Sequence, residues 1–156
     1  MARHTDFTPY NLVTLAYGIN DWKADHTTGT IEDSIETPAT TIAGMRATIE
    51  AIMTSNPLCK IIVITPINCK GYSGKETGEK ITNWGRGYRF SKSGTLDEFA
   101  DAMISVCNYY GIQYIDMTRY SCVNRENIES CLLDGVHPSE ATHALMAHEL
   151  AKKITF

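Results

Sequence analysis

The sequence predicts an α/β sandwich built around a parallel sheet, and three observations carry that prediction. Two short apolar runs lack polar alternation, as strands covered on both faces do. Stretches with helical periodicity alternate with them along the chain. No repeat, low-complexity tract or linker interrupts the 156 residues, so a single domain spans 1–156.

The elements follow in order. Leu12 to Tyr17, LVTLAY, is a first strand expected to be buried on both faces. Lys23 to Glu36 is a polar connection. Thr37-Pro38 then opens a helix in cap and first-turn positions, with a stripe of Ile42, Met45, Ile49, Ile52 and Met53, and Asn56-Pro57 ends it. Lys60 to Thr65, KIIVIT, is a second buried strand stopped by Pro66. Thr95 to Glu98 fits a capping box and begins a helix whose one face carries Leu96, Phe99, Ala100, Met103, Cys107 and Tyr110, with Gly111 as its stop. Ile112 to Asp116 is a third strand. A last helix follows Pro138, with Ala144, Ala147, Leu150, Ala151 and Ile154 expected on its buried side. Right-handed crossovers between such strands give a three-layer α/β/α, flavodoxin-like arrangement.

Composition narrows the function classes. A content of 43% hydrophobic and 21% charged residues is that of an ordinary soluble domain. At 156 residues the chain can bury roughly 70% of its unfolded surface. No apolar run approaches the roughly 20 residues of a membrane span, and MARHTDFTPY has no signal-peptide core, so no membrane partner is expected. The net charge of −4 gives no reason to expect nucleic acid. The five cysteines include no CxxC pair, which argues against a metal site. They read as buried free thiols, with a Cys122–Cys131 bridge as the alternative in an exported protein.

Chemistry can sit in two places. In open parallel sheets, ligands bind beyond the carboxyl ends of the strands. The first strand ends there in Gly18-Ile-Asn20-Asp21-Trp22, where Asn20 and Asp21 are either turn residues or functional groups. The second place is LDGVHPS, Leu133 to Ser139. His137 projects from a loop stiffened by Pro138, and Asp134 lies within reach of one imidazole nitrogen if the chain turns at Gly135. A carboxylate there would select the tautomer and stabilise imidazolium, leaving the other nitrogen as a general base. The plainer alternative is that both residues decorate a helix N-terminus.

GxND after an early strand, together with DxxHPS before the C-terminal helix, resembles the SGNH hydrolase (GDSL esterase/lipase) family. The likeness extends over nearly the whole chain: GIND, the helix opened by Thr37-Pro38, IIVITP, the capped helix, IQYID and DGVHPS occur in family order. The resemblance implies that Asn20 donates its side-chain amide to an oxyanion and that His137 is the general base oriented by Asp134. It also implies that Gly18 permits the turn aiming Asn20. Asp21 would tie down its own loop rather than touch substrate. Trp22 would either wall the acyl pocket or pack under the sheet. No cofactor or metal is implied.

The departure from the family is the nucleophile. Its serine sits in a Gly-Asp-Ser motif at the end of an earlier strand, and a second block supplies an oxyanion-hole glycine. Here the eleven residues before Leu12 contain no serine. The sequence therefore reads as the C-terminal two-thirds of the domain, lacking the first strand, helix and second strand. Gly71-Tyr-Ser73-Gly74-Lys75 approaches a nucleophile elbow but has Lys75 where glycine is needed. Cys69, closer to the strand end, is a similar stand-in, whereas neither Ser121 nor Ser139 has a strand-to-helix elbow around it.

Residues 66–93 form the longest irregular stretch, a substrate lid or a solvated loop. It carries a balance of +4 against −8 for the remainder, with Tyr72, Trp84, Tyr88 and Phe90 among the charges. Such groups suit a sugar or glycan ester, with Tyr72 and Trp84 as candidate contacts. The expected function is hydrolysis of carboxylic esters, including O-acetyl groups on carbohydrate. The partner expected is a second copy or a chain carrying the missing N-terminal part. The rival readings are a catalytically dead module serving glycan binding or a structural role in a larger surface or phage-tail protein, and an unrelated flavodoxin-like domain. No glycine-rich phosphate loop supports the last of these.

Overall fold

A computed structural model describes residues 5–70, 86 and 88–154. Three strands, β1 (Leu12–Ala16), β2 (Lys60–Ile64) and β3 (Gln113–Ile115), form a parallel sheet in the order β1-β2-β3. Leu12 is opposite Lys60 and Ile62 opposite Gln113, so the carboxyl ends of all three strands lie at one edge. Helices α1 (Ile19–Lys23), α2 (Thr41–Ser55), α3 (Leu96–Tyr110), α4 (Met117–Tyr120), α5 (Ile128–Cys131) and α6 (Glu140–Lys153) complete the described chain.

The alternation of the strands divides the core. Val13, Leu15, Ile61 and Val63 face α2 and α3, where Ile42, Met45, Ile49, Ile52, Phe99 and Met103 are fully or almost fully buried. Leu12, Ile62, Ile64 and Ile115 face α4 and α6 on the opposite side. The fold is therefore an α/β/α sandwich. At roughly 25 cal/mol per Å² of apolar surface, those two interfaces supply most of the driving force.

α3 forms as its sequence requires. The Thr95 hydroxyl accepts from the Glu98 N–H, the Glu98 carboxylate accepts from the Thr95 N–H, and Gly111 ends the helix with φ 65°.

Other expectations need correction. α2 begins at Thr41, not at Thr37-Pro38. Thr40 is its cap, and the N–H groups of Thr41 and Ile42 bond to the carbonyls of Thr27 and Thr28. The preceding loop thus supplies acceptors for the first amides of α2. On α6, Thr142 is the buried residue, and Met146, Leu150 and Ile154 are the side chains packed on the sheet, while Ala144, Ala147 and Ala151 face solvent. The contact stripe follows the larger side chains, which can reach the sheet where alanine cannot. β1 is not covered on both faces: Thr14 and Ala16 are exposed, because β1 is the edge strand among the described residues and the side chains of α6 pack mainly against β2 and β3. All five cysteines are free thiols, so no Cys122–Cys131 bridge forms. No helix among the described residues is long and apolar enough to cross a membrane.

Candidate active site

The first strand ends in a short helix because Gly18 takes a left-handed conformation, φ 105°, and caps α1. A β-carbon there would sit 2.9 Å from Phe99 Cε1 and 3.5 Å from Met103 Sδ, so glycine also lets α3 pack closely. Trp22 fixes the helix from beneath. It is fully buried, donates Nε1–H to the Gly94 carbonyl at 3.1 Å, and meets Phe90 edge-on at 4.9 Å. Its ring is thus enclosed by neighbours from the segment before α3.

Asp25 ends the turn with φ 53°, a conformation aspartate tolerates better than most residues. Its carboxylate accepts from the Ser91 hydroxyl at 2.5 Å and from the N–H groups of Lys92 at 2.6 Å and Ser93 at 2.9 Å. These donors favour the ionised form, and hydrogen bonding led by Ser91 holds its pKa at about 2. With α1 anchored on both sides, Asn20 stands exposed at the carboxyl end of β1. Asp21 stays near its own loop, with Oδ1 3.6 Å from His26 Nδ1 and its carbonyl accepting the His26 N–H at 3.0 Å.

The second candidate stretch closes on itself. Leu133 N–H donates to the His137 carbonyl at 2.8 Å, and Gly135 turns the chain with φ 85°. Asp134 Oδ1 accepts from the N–H groups of Val136 at 3.0 Å and His137 at 2.8 Å, while Oδ2 lies 2.7 Å from His137 Nδ1. The His137 N–H leads the interactions that hold the Asp134 carboxyl well below the usual carboxylate range. The carboxylate therefore binds loop backbone and imidazole together, and Nδ1 carries the proton toward it. The other ring nitrogen has no hydroxyl or thiol partner among the described residues, and the His137 side chain is 74% exposed. Ser139 caps the helix behind it, accepting from Thr142 N–H at 3.3 Å.

One connection escaped the sequence reading. Lys23 Nζ donates to the Lys70 carbonyl at 3.0 Å, and the Lys70 N–H donates to the Gly135 carbonyl at 2.7 Å. Lys70 Nζ also pairs with Glu129 at 2.7 Å. Lys70 thus ties the helix bearing Asn20 to the loop bearing Asp134 and His137. No spacing in the sequence signals a contact made through backbone carbonyls.

Other candidates separate from this arrangement. Cys69 is fully buried and its thiol is pushed up to about 11 by that burial, so it remains a protonated core residue. Tyr72, Ser73 and Trp84 lie outside the described residues, as does most of the proposed lid.

Comparison with known proteins bears on the whole arrangement. The chain is similar in structure to a protein from Chitinophaga pinensis described as a possible lipase, with a TM-score of 0.66 and 23% identity over 91% of this chain and 71% of that one. It is similar to a peptidoglycan O-acetylesterase, with a TM-score of 0.60 and 18% identity over 91% of this chain and 36% of that one. An acetyl-xylooligosaccharide esterase from Geobacillus gives 0.57 and 17% over 94% of this chain and 60% of that one. The chain thus spans less than two thirds of the length of both esterases. At these identities the likeness shows a shared fold. No curated protein matches the chain. The model of the GDSL-like lipase/acylhydrolase family matches residues 1–145, a span running from before β1 through the Asp134–His137 loop into α6. By that match the chain belongs to the GDSL-like lipase/acylhydrolase family.

Proposed function

We propose that this domain hydrolyses carboxylic esters, with acetyl groups on carbohydrate as the substrate class. The nucleophilic serine would come from a segment or second chain beyond the described residues. The observation that carries the reading is the 2.7 Å contact between Asp134 Oδ2 and His137 Nδ1, which leaves the opposite ring nitrogen available as a base. The two acetylesterases of similar fold support the substrate class.

In this reading His137 takes the proton of the attacking serine hydroxyl, which adds to the acyl carbonyl. Asn20 donates its side-chain amide to the oxyanion that develops, a contribution typically worth about 3 kcal/mol. Imidazolium, stabilised by Asp134, then gives the proton to the sugar oxygen as the acyl carbon–oxygen bond breaks, releasing the sugar as its alcohol. Water then cleaves the acyl-serine by the same route in reverse. Lys70 keeps the two halves of the site in register through its carbonyl and N–H.

Acetate release from acetylated xylo-oligosaccharides, measured with the chain joined to a family strand–helix–strand segment carrying Gly-Asp-Ser, tests the proposal. Turnover lost in His137→Ala supports it, and turnover indifferent to that change overturns it. The competing reading is a glycan-binding module without catalysis, favoured by the lack of a hydroxyl partner for His137 among the described residues. That module would bind sugar yet stay inactive when so joined.

A further inference from the structure

Lys70 carries more than its backbone tie. The chain leaving β2 is locked just before it. Asn68 is buried and donates its side-chain amide to the carbonyls of Thr118 at 2.6 Å and Val123 at 3.1 Å, and Cys69 is fully buried. Lys70 therefore leaves the core at a fixed place, with its N–H on the Gly135 carbonyl at 2.7 Å and its own carbonyl held from α1 by Lys23 Nζ at 3.0 Å. Those bonds use backbone atoms of residue 70, so any residue with an N–H could make them.

The side chain reaches further. A β-carbon placed on Gly135 would meet Lys70 Cδ at 2.5 Å, Cγ at 3.0 Å and Cβ at 3.2 Å, so the aliphatic stem lies across that glycine. Gly135 is buried there, although Asp134 and His137 in the same loop are exposed. Beyond the stem, Nζ pairs with Glu129 of α5 at 2.7 Å. The side chain thus spans from the glycine turn to the helix that leads into the loop. Lysine suits such a place, because its stem can lie along a surface while its ammonium stays in water.

The turn beneath the stem is the one on which the imidazole depends. Asp134 reaches the N–H groups of Val136 and His137, and His137 Nδ1, across Gly135. Both side chains of the pair are more than half exposed, so the loop rather than the core sets their geometry. Ion pairs open to solvent contribute little, and Glu129 is 61% exposed, so the stem rather than the charge carries the effect.

We propose that Lys70 is a positioning residue for His137, its stem clamping Gly135 so that Asp134 stays on Nδ1. Its consequence for turnover rests on the hydrolase reading. Its consequence for the imidazole does not.

The test is the tautomer of His137 in the full chain, read from the ring nitrogen resonances at a pH where the ring is neutral. The parent chain should carry the proton on Nδ1. Lys70→Ala should lose that preference, leaving the mixture of an unrestrained histidine. Lys70→Met and Lys70→Arg, which keep a stem, should retain it. Unfolding midpoints by far-UV circular dichroism should match the parent, because no core side chain is removed. A parent chain without the Nδ1–H preference, Lys70→Ala with the parent tautomer, or Lys70→Met behaving as alanine overturns the proposal. So does a loss of tautomer that only accompanies a lowered midpoint, or a Lys70→Ala chain that does not fold. In the protein joined to a Gly-Asp-Ser segment, Lys70→Ala should lower kcat on p-nitrophenyl acetate by about 10- to 100-fold with KM unchanged, the order that a small misplacement costs. Lys70→Arg should restore it. A joined protein that keeps the tautomer pattern yet is inactive sinks only the hydrolase reading, and full turnover in Lys70→Ala sinks only the positioning role.

Discussion

Asp134 accepts the imidazole of His137 at 2.7 Å and the N–H of the same residue at 2.8 Å, so one carboxylate orients both the ring and the backbone that carries it. In the proposed hydrolase, an imidazole held at two points would need little reorganisation when it takes a proton.

The acid behaviour of the loop follows from that pairing. Asp134 has a folded-state pKa lowered by the His137 N–H, the imidazole and the Val136 N–H. A depressed folded value contributes order that is fully present above the unfolded carboxylate value of about 4 and is lost as pH falls through the folded value. The amide resonances of Val136 and His137 should therefore hold through pH 4 and move only in stronger acid. Titration of both at about pH 4 would show that the carboxylate is not engaged. Asp134→Asn should abolish the low-pH transition at these two amides.

Gly18→Ala should destabilise the domain by about 1–3 kcal/mol, the usual cost of holding a residue with a β-carbon in a sparsely populated backbone region. The same β-carbon would press on Phe99, 2.9 Å away. Urea unfolding monitored by far-UV circular dichroism reads this directly. A midpoint unchanged from the parent would mean that the turn at the end of β1 relaxes without strain.

The isolated 156-residue chain should hydrolyse p-nitrophenyl acetate no faster than its His137→Ala variant, since no hydroxyl partners that imidazole among the described residues. Supplying a Gly-Asp-Ser segment, in cis or as a second chain, should restore turnover. Burst kinetics from the isolated chain would place the nucleophile within it, and Ser73 would be the first serine to replace.

β1 pairs with β2 on one side and has no strand partner on the other among the described residues. Its exposed Thr14 and Ala16 leave a flat edge with neither proline nor lysine to blunt it. Such edges template pairing with another chain. We expect concentration-dependent association in light scattering, and we expect Thr14→Lys to shift the protein toward monomer. A parent chain that stays monomeric across the accessible concentration range would remove this edge as a docking surface.

Local chemistry made much of the molecule legible in advance. The apolar runs of β1 and β2, the capping box at Thr95 and the glycine stop at Gly111 depend on residues within a few positions of one another, and each forms where its sequence places it. The reach of Asp134 to His137 across Gly135 is equally local, because three residues and one left-handed turn suffice. The start of α2 was not legible from Thr37-Pro38, because its first amides are satisfied by Thr27 and Thr28, more than a dozen residues earlier. The packed face of the last helix was legible in part: Leu150 and Ile154 pack as their spacing suggested, whereas Met146 takes the place expected of Ala144, Ala147 and Ala151. The short helix α1, the burial of Trp22 under Gly94 and the Lys70 tie between the two halves of the site all join segments far apart in the chain. Periodicity and capping report on neighbours in sequence, whereas these features arise from which surfaces the sheet brings together, and only the packed chain decides that.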